Sequence, residues 1–519
     1  MYQILIGFLK WAGFLALGYF LYLVYALLVY PYMCWRKYKK YSNVYTTPTF
    51  IPILGDLKRI NEDMKKGRVH YYEKMQKASE MKGKDIRIKF EGYNPLILLQ
   101  SNKAIEEFAK LVPSKVDRVN TGRGLGKVGL GTFLFEKSTK RTVMRRKILT
   151  SFLSLNSSSR HIPAMMRHTS DVLKPLKQGQ SYDFIDIANV LTFNIFTSVL
   201  FGDDMVELAN RVRPYQNPDG TTSMLPLRDI IINSFKSHFV QIFHPLTATC
   251  KPLADANIIN PFKRDHENYQ VFLEGMKELY KNCKDETSIC MQILKNEQTT
   301  ESEKMSDLNT FILAGAETSS HGIVSTLFFL KKHPETFAKL RKEIQDARIN
   351  KETVTNESLT REKIEELDYL SCVIKESLRI DGPGAESFFY SAKQNIKLCG
   401  VPIPKGFPIK VDLFSGHYNE EYWKDPTNFV PERYDQESEF YKQAEKEGKI
   451  GRGFSTRPFS HGFRACPGQS FAVLEMKVAI IVILTLIDYE VDPELFQKDG
   501  VGFGIGSTIV PSFKVDWQS

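Results

Sequence analysis

The segment Phe459-Ser-His-Gly-Phe-Arg-Ala-Cys-Pro-Gly468 is the most specific stretch of the 519-residue chain. Glycine and proline surround Cys466, and the apolar run 471–486 follows, which predicts a tight loop that leads into a helix. A cysteine at the start of a helix lies near free backbone N–H groups and the positive end of the helix dipole, and both lower the pKa of a thiol. Glycine lets a flat ligand approach the backbone, and Arg464 can bind a carboxylate through paired donors. The segment therefore predicts a thiolate at a ligand site rather than a buried core cysteine.

The framework F-x-x-G-x-R-x-C-x-G of this loop resembles the haem-binding segment of the cytochrome P450 family, the haem-thiolate monooxygenases. The resemblance extends over essentially the whole chain. It implies that Cys466 is the axial thiolate ligand of the iron in haem b, where thiolate ligation favours O–O cleavage. It also implies that Phe459 packs beside the thiolate, that Arg464 binds a haem propionate and that Gly462 lies against the cofactor. His461 is expected to pack or to form a hydrogen bond rather than to bind a second metal.

Two charged motifs precede the loop in the order that the family shows. Glu376-Ser-Leu-Arg379 lies on a helical run, and the i,i+3 spacing places both charges on one face. Arg433 follows in Pro431-Glu-Arg-Tyr434. The resemblance implies that Glu376, Arg379 and Arg433 form a buried network that supports the haem-binding core. Removal of one member would leave a buried charge unpaired, at a cost of roughly 3–5 kcal/mol.

A central helix is predicted over 306–332, and it contains the polar sequence Ala314-Gly-Ala-Glu-Thr-Ser319 between apolar flanks. Polar groups in an apolar helix need partners, since an unsatisfied buried polar group is costly. The resemblance implies that Glu317 and Thr318 are the acid–alcohol pair above the haem, which organises water and delivers protons. It implies that Gly315 lets the helix deform and leaves room for O₂.

The segment 140–152 resembles the family helix that carries a W-x-x-x-R motif, and Arg145 matches the arginine that binds a haem propionate. Two departures concern propionate binding: Arg141 stands where the family has tryptophan, and Tyr390 stands where the family often has arginine. This region is rich in cations, which would either dock an acidic electron donor or form a solvated helix face. The cations are Lys137, Lys140, Arg141, Arg145, Arg146 and Lys147.

Residues 11–35 contain no charged side chain, and aromatic residues and the basic run 36–40 close this stretch. A helix of this length spans roughly 37 Å, which exceeds the ~30 Å hydrocarbon core of a bilayer. The basic flank predicts that the C-terminal side faces the cytosol. We therefore expect a single-pass membrane protein with a cytosolic catalytic domain, and the family resemblance implies the endoplasmic reticulum membrane. The expected divisions are an anchor at 1–35, a basic and proline-containing linker at 36–55 and one cytochrome P450 domain at 56–519.

Composition excludes other classes of protein. The aromatic content of 12% argues against disorder, and seven cysteines are too few for a disulfide scaffold. The net charge of +10 fits a membrane surface or an acidic partner, and nucleic acid is not needed to explain it. A G-x-G-x-x-G match at 124–129 lacks a preceding strand, so we reject dinucleotide binding there. The expected substrate-pocket segments are 114–131, 229–243, 383–389 and 504–507.

The combined prediction is a mainly α fold with minor β structure, the cytochrome P450 fold, with haem between the central and proximal helices. The resemblance implies a monooxygenase that inserts one atom of O₂ into a small hydrophobic substrate. Its electrons would come from NADPH through NADPH–cytochrome P450 reductase, with cytochrome b5 as a further candidate donor. The alternatives are a peroxide isomerase or dehydratase of the same fold and a non-catalytic haem sensor or carrier. The intact Glu317–Thr318 pair argues against both.

Overall fold

Helices dominate the residues that the computed structural model describes, which are 2–58, 82–120, 128, 131–492 and 512–517. The helices are α1 (Tyr2–Val24), α2 (Tyr30–Tyr38), α3 (Asn102–Leu111), α4 (Lys140–Phe152), α5 (Leu155–Ser159), α6 (Ile162–Leu173), α7 (Phe184–Phe201), α8 (Met205–Asn210), α9 (Leu227–Val240), α10 (Pro245–Thr249), α11 (Lys251–Asp255), α12 (Phe262–Asn282), α13 (Ile289–Leu294), α14 (Glu301–Lys332), α15 (Pro334–Asp346), α16 (Lys351–Thr355), α17 (Arg361–Glu365), α18 (Asp368–Asp381), α19 (Glu439–Lys446) and α20 (Gln469–Leu486). A π-helical turn, Tyr25–Val29, joins α1 to α2. The predicted mainly α fold is confirmed.

The strands are short and form a minor part of the structure. They are β1 (Val44–Tyr45), β2 (Ile86–Glu91), β3 (Asn94–Leu99), β4 (Val116–Arg118), β5 (Ser181–Asp183), β6 (Arg213–Gln216), β7 (Thr222–Leu225), β8 (Tyr390–Ala392), β9 (Ile396–Leu398), β10 (Val401–Ile403), β11 (Pro408–Val411), β12 (Ile487–Val491) and β13 (Ser512–Trp517). The largest sheet is mixed and has the order β1-β2-β3-β11-β8-β4. The β8–β4 pairing places Tyr390 opposite Arg118. This edge of the sheet therefore brings residues of two distant segments to the site described below.

The central helix α14 packs against α7, α18 and α20 and lies in the hydrophobic core. It begins at Glu301, five residues before the predicted start, because a capping box stabilises an earlier first turn. The Thr300 side chain accepts a hydrogen bond from the Glu303 backbone N–H, and the Glu303 carboxylate accepts one from the Thr300 N–H. Because the first turn is charged, it lacks the apolar pattern by which a sequence marks the start of a buried helix.

Three helical segments have the length and apolar composition to cross a membrane: Lys10–Tyr38, α7 and α20. In α7 and α20, 67% of the apolar window is buried inside the protein, so both are core helices. The N-terminal window is 0% buried against the rest of the protein, which fits contact with lipid. The apolar anchor helix predicted from the sequence is therefore present.

The segment predicted to be a linker, 36–55, is packed onto the catalytic domain. Tyr38 is fully buried, and its hydroxyl donates a hydrogen bond to the Pro402 carbonyl at 3.2 Å. Strand β1 pairs in parallel with β2, so this segment contributes to the largest sheet. Its prolines predict a stiff, non-helical linker, and the aromatic residues that hold it against the domain carry no distinctive sequence pattern.

Candidate active site

The Cys466 loop has the geometry that the glycine spacing predicts. The turn Gly462–Arg464 contains a glycine with φ of 67°, which lies in the left-handed region that favours glycine. The Cys466 N–H donates a hydrogen bond to the Phe459 carbonyl at 2.9 Å, which closes the loop. Helix α20 begins three residues after the cysteine. The loop therefore presents Cys466 just before the N-terminus of a buried helix.

The environment of Cys466 differs from the electrostatic expectation. Its side chain is exposed, yet burial is the largest influence on its pKa, as for a thiol on the wall of a cavity. Burial raises the pKa of Cys466, while the Gly468 backbone N–H and the Arg146 charge lower it without reversing the net shift. The predicted lowering groups are present, but desolvation exceeds them. A metal ion bound at Cys466 would supply the missing stabilisation, because coordination deprotonates a thiol outright.

Arg464 is buried and turned towards a neighbouring segment of backbone. Its Nη2 donates to the carbonyl oxygens of Phe133, at 3.1 Å, and Glu136, at 2.8 Å. Its Nη1 is buried and has no hydrogen-bond acceptor among the described residues. Burial, and then the nearby Arg118, lower the pKa of Arg464 to about 10. The guanidinium is thus held in place by carbonyl groups while one donor remains available to a ligand.

Two further arginines lie beside this loop and complete an arginine cluster of Arg118, Arg146 and Arg464. Arg146 donates to the Ala465 carbonyl, and Arg118 donates to the Arg464 carbonyl at 3.5 Å. Burial is the main cause that lowers the pKa of both Arg118 and Arg146, and the nearby Arg146 charge further lowers the pKa of Arg118. Buried Nε and Nη1 of Arg118 have no hydrogen-bond acceptor among the described residues.

Such a cluster is unfavourable unless an anion lies among its members, because buried like charges need compensation. Haem carries two propionate groups, so the arginine cluster beside Cys466 fits this cofactor. Tyr390, the departure noted in the sequence, supports the cluster: the Arg118 guanidinium carbon lies 4.4 Å from the centre of its ring. Tyr390 therefore positions Arg118, where an arginine at residue 390 would have added another guanidinium group.

Arg145, the propionate ligand predicted from spacing, lies outside the arginine cluster. Its Nε and Nη2 donate to the two carboxylate oxygens of Asp307 at 2.9 and 2.6 Å, and its Nη1 donates to Glu136 at 3.1 Å. Nη2 also donates to the Gly131 carbonyl at 2.7 Å. These acceptors occupy most of the guanidinium: Arg145 ties α4 to α14, and its neighbour Arg146 contacts the Cys466 loop.

The charged motifs before the loop form the expected buried network. Arg379 donates to both carboxylate oxygens of Glu376 at 2.8 Å, and Arg433 Nε donates to the same carboxylate at 2.8 Å. All three side chains are at most 2% exposed. Burial acts to raise the pKa of Glu376, but the two arginines lower it overall. The predicted ion-pair network is confirmed.

The middle of α14 is accessible on one face. Ala314 and Thr318, one turn apart, are exposed, although the flanking residues of this helix are buried. The Thr318 hydroxyl donates to the Ala314 carbonyl at 2.8 Å. Burial raises the pKa of Glu317, and Lys236 and His321 partly oppose that effect. This face therefore carries a hydroxyl beside a carboxyl group that gives up its proton less readily than usual.

Gly315 has a packing function that the sequence did not indicate. Helix α14 continues through this position without a break, and a Cβ there would lie 2.7 Å from the Phe196 ring of α7. The glycine therefore allows α7 to approach α14. The expectation that Gly315 lets the helix deform and leaves room for O₂ stays a prediction.

His461 behaves as a packing residue. Its ring lies 4.6 Å from the Phe454 ring, and burial with the nearby Arg457 charge lowers its pKa to about 4. A neutral histidine that contacts an aromatic ring agrees with the expectation from the sequence. The G-x-G-x-x-G match at 124–129 and the pocket segment 504–507 lie outside the described residues, except for Val128.

Sequence reasoning missed two members of the arginine cluster and two buried ionisable residues of apolar helices, which are Arg118, Arg146, His321 and Glu475. Arg118 lies at the end of a three-residue strand in a region without a motif, so no local signal marks it. Arg146 was included only as a surface cation, because the spacing to Arg141 selected its neighbour. His321 and Glu475 do carry a signal, since each is an ionisable residue inside an apolar helical run.

A family model described as Cytochrome P450 matches residues 46–506, which includes the Cys466 loop, the Glu376 network and the middle of α14. The chain belongs to the cytochrome P450 family. Members of this family bind haem b through a cysteine thiolate, and this protein is a haem-dependent monooxygenase that uses O₂, a redox partner and a hydrophobic substrate. The predicted family, enzyme class and cofactor are confirmed.

The matches to curated relatives cover most of both chains. Cytochrome P450 3A11 of Mus musculus is 25% identical over 461 residues, which cover 85% of both chains. Cytochrome P450 3A5 of Homo sapiens is 26% identical over 84% of both chains. Lithocholate 6-beta-hydroxylase of Mesocricetus auratus is 27% identical over 76% of this chain and 77% of that protein. Together with the N-terminal apolar helix, they identify this cytochrome P450 as a membrane-anchored protein of the endoplasmic reticulum.

Proposed function

We propose that Cys466 is the thiolate ligand of the haem iron and that Arg118, Arg146 and Arg464 hold the haem propionates. The observation that carries this proposal is a pair of buried guanidinium groups beside the cysteine, those of Arg118 and Arg464. Each has N–H donors without an acceptor among the described residues, and an anionic ligand would supply one. Phe459 and Gly462 shape the loop, since the Phe459 carbonyl and the left-handed glycine fix the path of its backbone. Bound haem supplies the redox chemistry that activates O₂.

Thr318 and Glu317 supply protons to the reaction. The accessible hydroxyl of Thr318 lies on the exposed face of α14, and its bond to the Ala314 carbonyl leaves its lone pairs available to water. Glu317 is adjacent in sequence, and its raised pKa places the carboxyl group closer to neutral pH, where it exchanges protons efficiently. Loss of this proton supply would divert reduced oxygen to hydrogen peroxide. An intact pair favours a monooxygenase over a peroxide isomerase.

Electrons arrive from NADPH–cytochrome P450 reductase, with cytochrome b5 as a second donor, at the lysine face formed by Lys137, Lys140 and Lys147. Lys140 and Lys147 are exposed on α4 and Lys137 is exposed just before it, whereas Arg145 of the predicted cluster is buried. Phe463 of the Cys466 loop is also an exposed hydrophobic residue. Exposed positive charge suits an acidic donor protein, because complementary charges steer association.

The anchor at residues 1–35 crosses the membrane once, with the catalytic domain in the cytosol. The basic run 36–40 supports this orientation by the positive-inside rule. Tyr38 is buried in the domain, so the chain passes directly from lipid to protein and the segment 36–55 belongs with the catalytic domain, 56–519.

The experiment that tests the propionate assignment compares two adjacent residues of α4. R146Q removes a donor of the arginine cluster and should lower the amount of haem retained during dilution of the purified protein. K147Q removes an exposed cation one position away and should retain haem as the wild type does. Equal haem retention in R146Q and K147Q would contradict the assignment.

A further inference from the structure

The polar stretch of α14 has an accessible face and a buried face. Ala314 and Thr318 lie one turn apart on the accessible face, whereas Ala316 and Ser320 lie one turn apart on the buried face. Helix α7 packs along α14 on the buried side. The contacts that α7 makes there therefore determine how firmly the accessible face is held.

Thr192 of α7 makes the first polar contact with the buried face. Its side chain is fully buried, and its hydroxyl donates a hydrogen bond to the Ala316 carbonyl at 2.6 Å. The same hydroxyl lies 2.9 Å from the Ala188 carbonyl one turn back in its own helix, which is the local acceptor that a helical threonine can use. Since the contact between the helices is the shorter one, Thr192 joins α7 to α14. The carbonyl that it contacts belongs to the peptide group between Ala316 and Glu317.

Asn189, one turn earlier on α7, makes the second polar contact. The Ser320 hydroxyl lies 2.6 Å from Asn189 Oδ1 and 2.8 Å from the Glu317 carbonyl. This carbonyl belongs to the peptide group between Glu317 and Thr318. Both peptide groups that flank Glu317 are thus tied to α7, one directly by Thr192 and the other through Ser320.

Phe196, one turn after Thr192 on the same face of α7, sets the separation of the two helices. A Cβ at Gly315 would lie 2.7 Å from its ring, so backbone and ring are already in close contact. The ring is also packed against Phe311 and Phe471, with ring centres 6.3 and 5.3 Å away. It therefore forms a firm wall beside the two polar contacts, and α14 cannot move closer to α7 without displacing it.

We propose that Asn189 and Thr192 are positioning residues that hold Glu317 and Thr318 where they pass protons to the reaction. The inference rests on the proposed function of this pair and extends it to a second helix. The position of a helical side chain follows from its backbone, and a displacement of about 1 Å can cost roughly 100-fold in rate. A clamp on the two peptide groups around Glu317 therefore acts on the acid and the alcohol together.

The first test measures how firmly the backbone is held. T192V removes the hydroxyl, T192S retains it, and T197V is the matched control on α7. Thr197 is equally buried, and its hydroxyl has no hydrogen-bond partner among the described residues. In deuterium exchange of the full-length protein, T192V should speed exchange of the backbone amides of 315–320 by roughly fivefold, because one hydrogen bond shifts an opening equilibrium by about that factor. T192S and T197V should exchange as the wild type does.

A second measurement separates positioning from packing. In the reconstituted system with NADPH–cytochrome P450 reductase and no added substrate, we measure peroxide released per NADPH consumed. E317Q/T318A removes the pair and should raise this ratio, and T192V alone should raise it as well. T192V should add nothing to E317Q/T318A, because Thr192 acts through the pair. N189A repeats both measurements at a half-buried position if T192V assembles poorly.

The outcomes distinguish this inference from the proposed function. An unchanged ratio in E317Q/T318A would refute the proton supply itself. If that ratio rises but T192V and N189A keep wild-type exchange and a wild-type ratio, the clamp is wrong while the role of the pair stands. Faster exchange without a higher ratio would also overturn the inference, because Thr192 would then only pack the two helices together.

Discussion

Glu475 is a fully buried acid in the apolar helix α20, and it makes stability depend on pH in a way that can be calculated. Burial raises the pKa of Glu475 from 4.5 to about 8, and Ser319 opposes this only in part. The folded protein therefore keeps a proton that the unfolded chain releases above pH 4.5. The stability that this proton contributes is fully present below the unfolded pKa, is progressively lost as the pH rises and is gone above the folded pKa.

The size of the effect follows from the two pKa values. The full penalty is about 5 kcal/mol at 1.36 kcal/mol per pKa unit, and about 2 kcal/mol of it develops between pH 6 and pH 8. An unfolding entropy of about 2.1 cal/mol/K per residue makes that equivalent to roughly 2 °C in melting temperature for a chain of this length. E475Q removes the charge at nearly constant volume. Its melting temperature relative to the wild type should therefore rise by about 2 °C between pH 6 and pH 8 and become constant near pH 9.

The assay is thermal unfolding followed by the haem absorbance at pH 6, 7, 8 and 9, with one scan rate for all proteins. E439Q is the matched control, because the Glu439 side chain is 96% exposed on α19. E439Q should follow the wild type at every pH. A difference between E475Q and the wild type that stays constant from pH 6 to pH 9 would refute the burial argument, because it would mean that Glu475 ionises normally in the folded protein.

Three further predictions concern the proton supply, the ion-pair network and the electron donor. T318A should raise the peroxide released per NADPH, while T318S keeps the hydroxyl and should restore the wild-type ratio; equal ratios in both variants would contradict the role of the hydroxyl. E376Q should lower stability by roughly 3–5 kcal/mol, because two buried arginines lose their carboxylate; retention of wild-type melting and haem content would contradict this cost. Replacement of the lysine face by glutamate should slow reduction by NADPH–cytochrome P450 reductase most strongly at low ionic strength, and a rate loss independent of salt would argue against docking there. The residues replaced are Lys137, Lys140 and Lys147.

The sequence predicts the parts of the site in which one chain segment supplies both a backbone shape and a chemical group. The Cys466 loop, the Glu376 network and the polar stretch of α14 are such parts, and the structure shows each in the predicted secondary structure. Arg145 illustrates the limit of spacing arguments. Neighbouring residues on a helix point about 100° apart, so Arg145 reaches Asp307 while Arg146 reaches the Cys466 loop.

Features formed by distant segments were missed for the same physical reason. Arg118 joins the arginine cluster because β4 pairs with β8, and this pairing brings together residues more than 270 positions apart. The packing of Gly315 against the Phe196 ring of α7 is likewise a contact that the sequence does not indicate. In both cases the deciding contact is tertiary, and local periodicity does not encode it.

The identity of the iron ligand is the central claim, and the spectrum of the reduced protein with carbon monoxide tests it most directly. We predict that the wild type and C250S show the red-shifted Soret band of thiolate ligation, because Cys250 is distant in sequence from the loop and serves as a cysteine control. C466H should retain a haem spectrum without that band or should lose haem. An unchanged red-shifted band in C466H would contradict the assignment of Cys466.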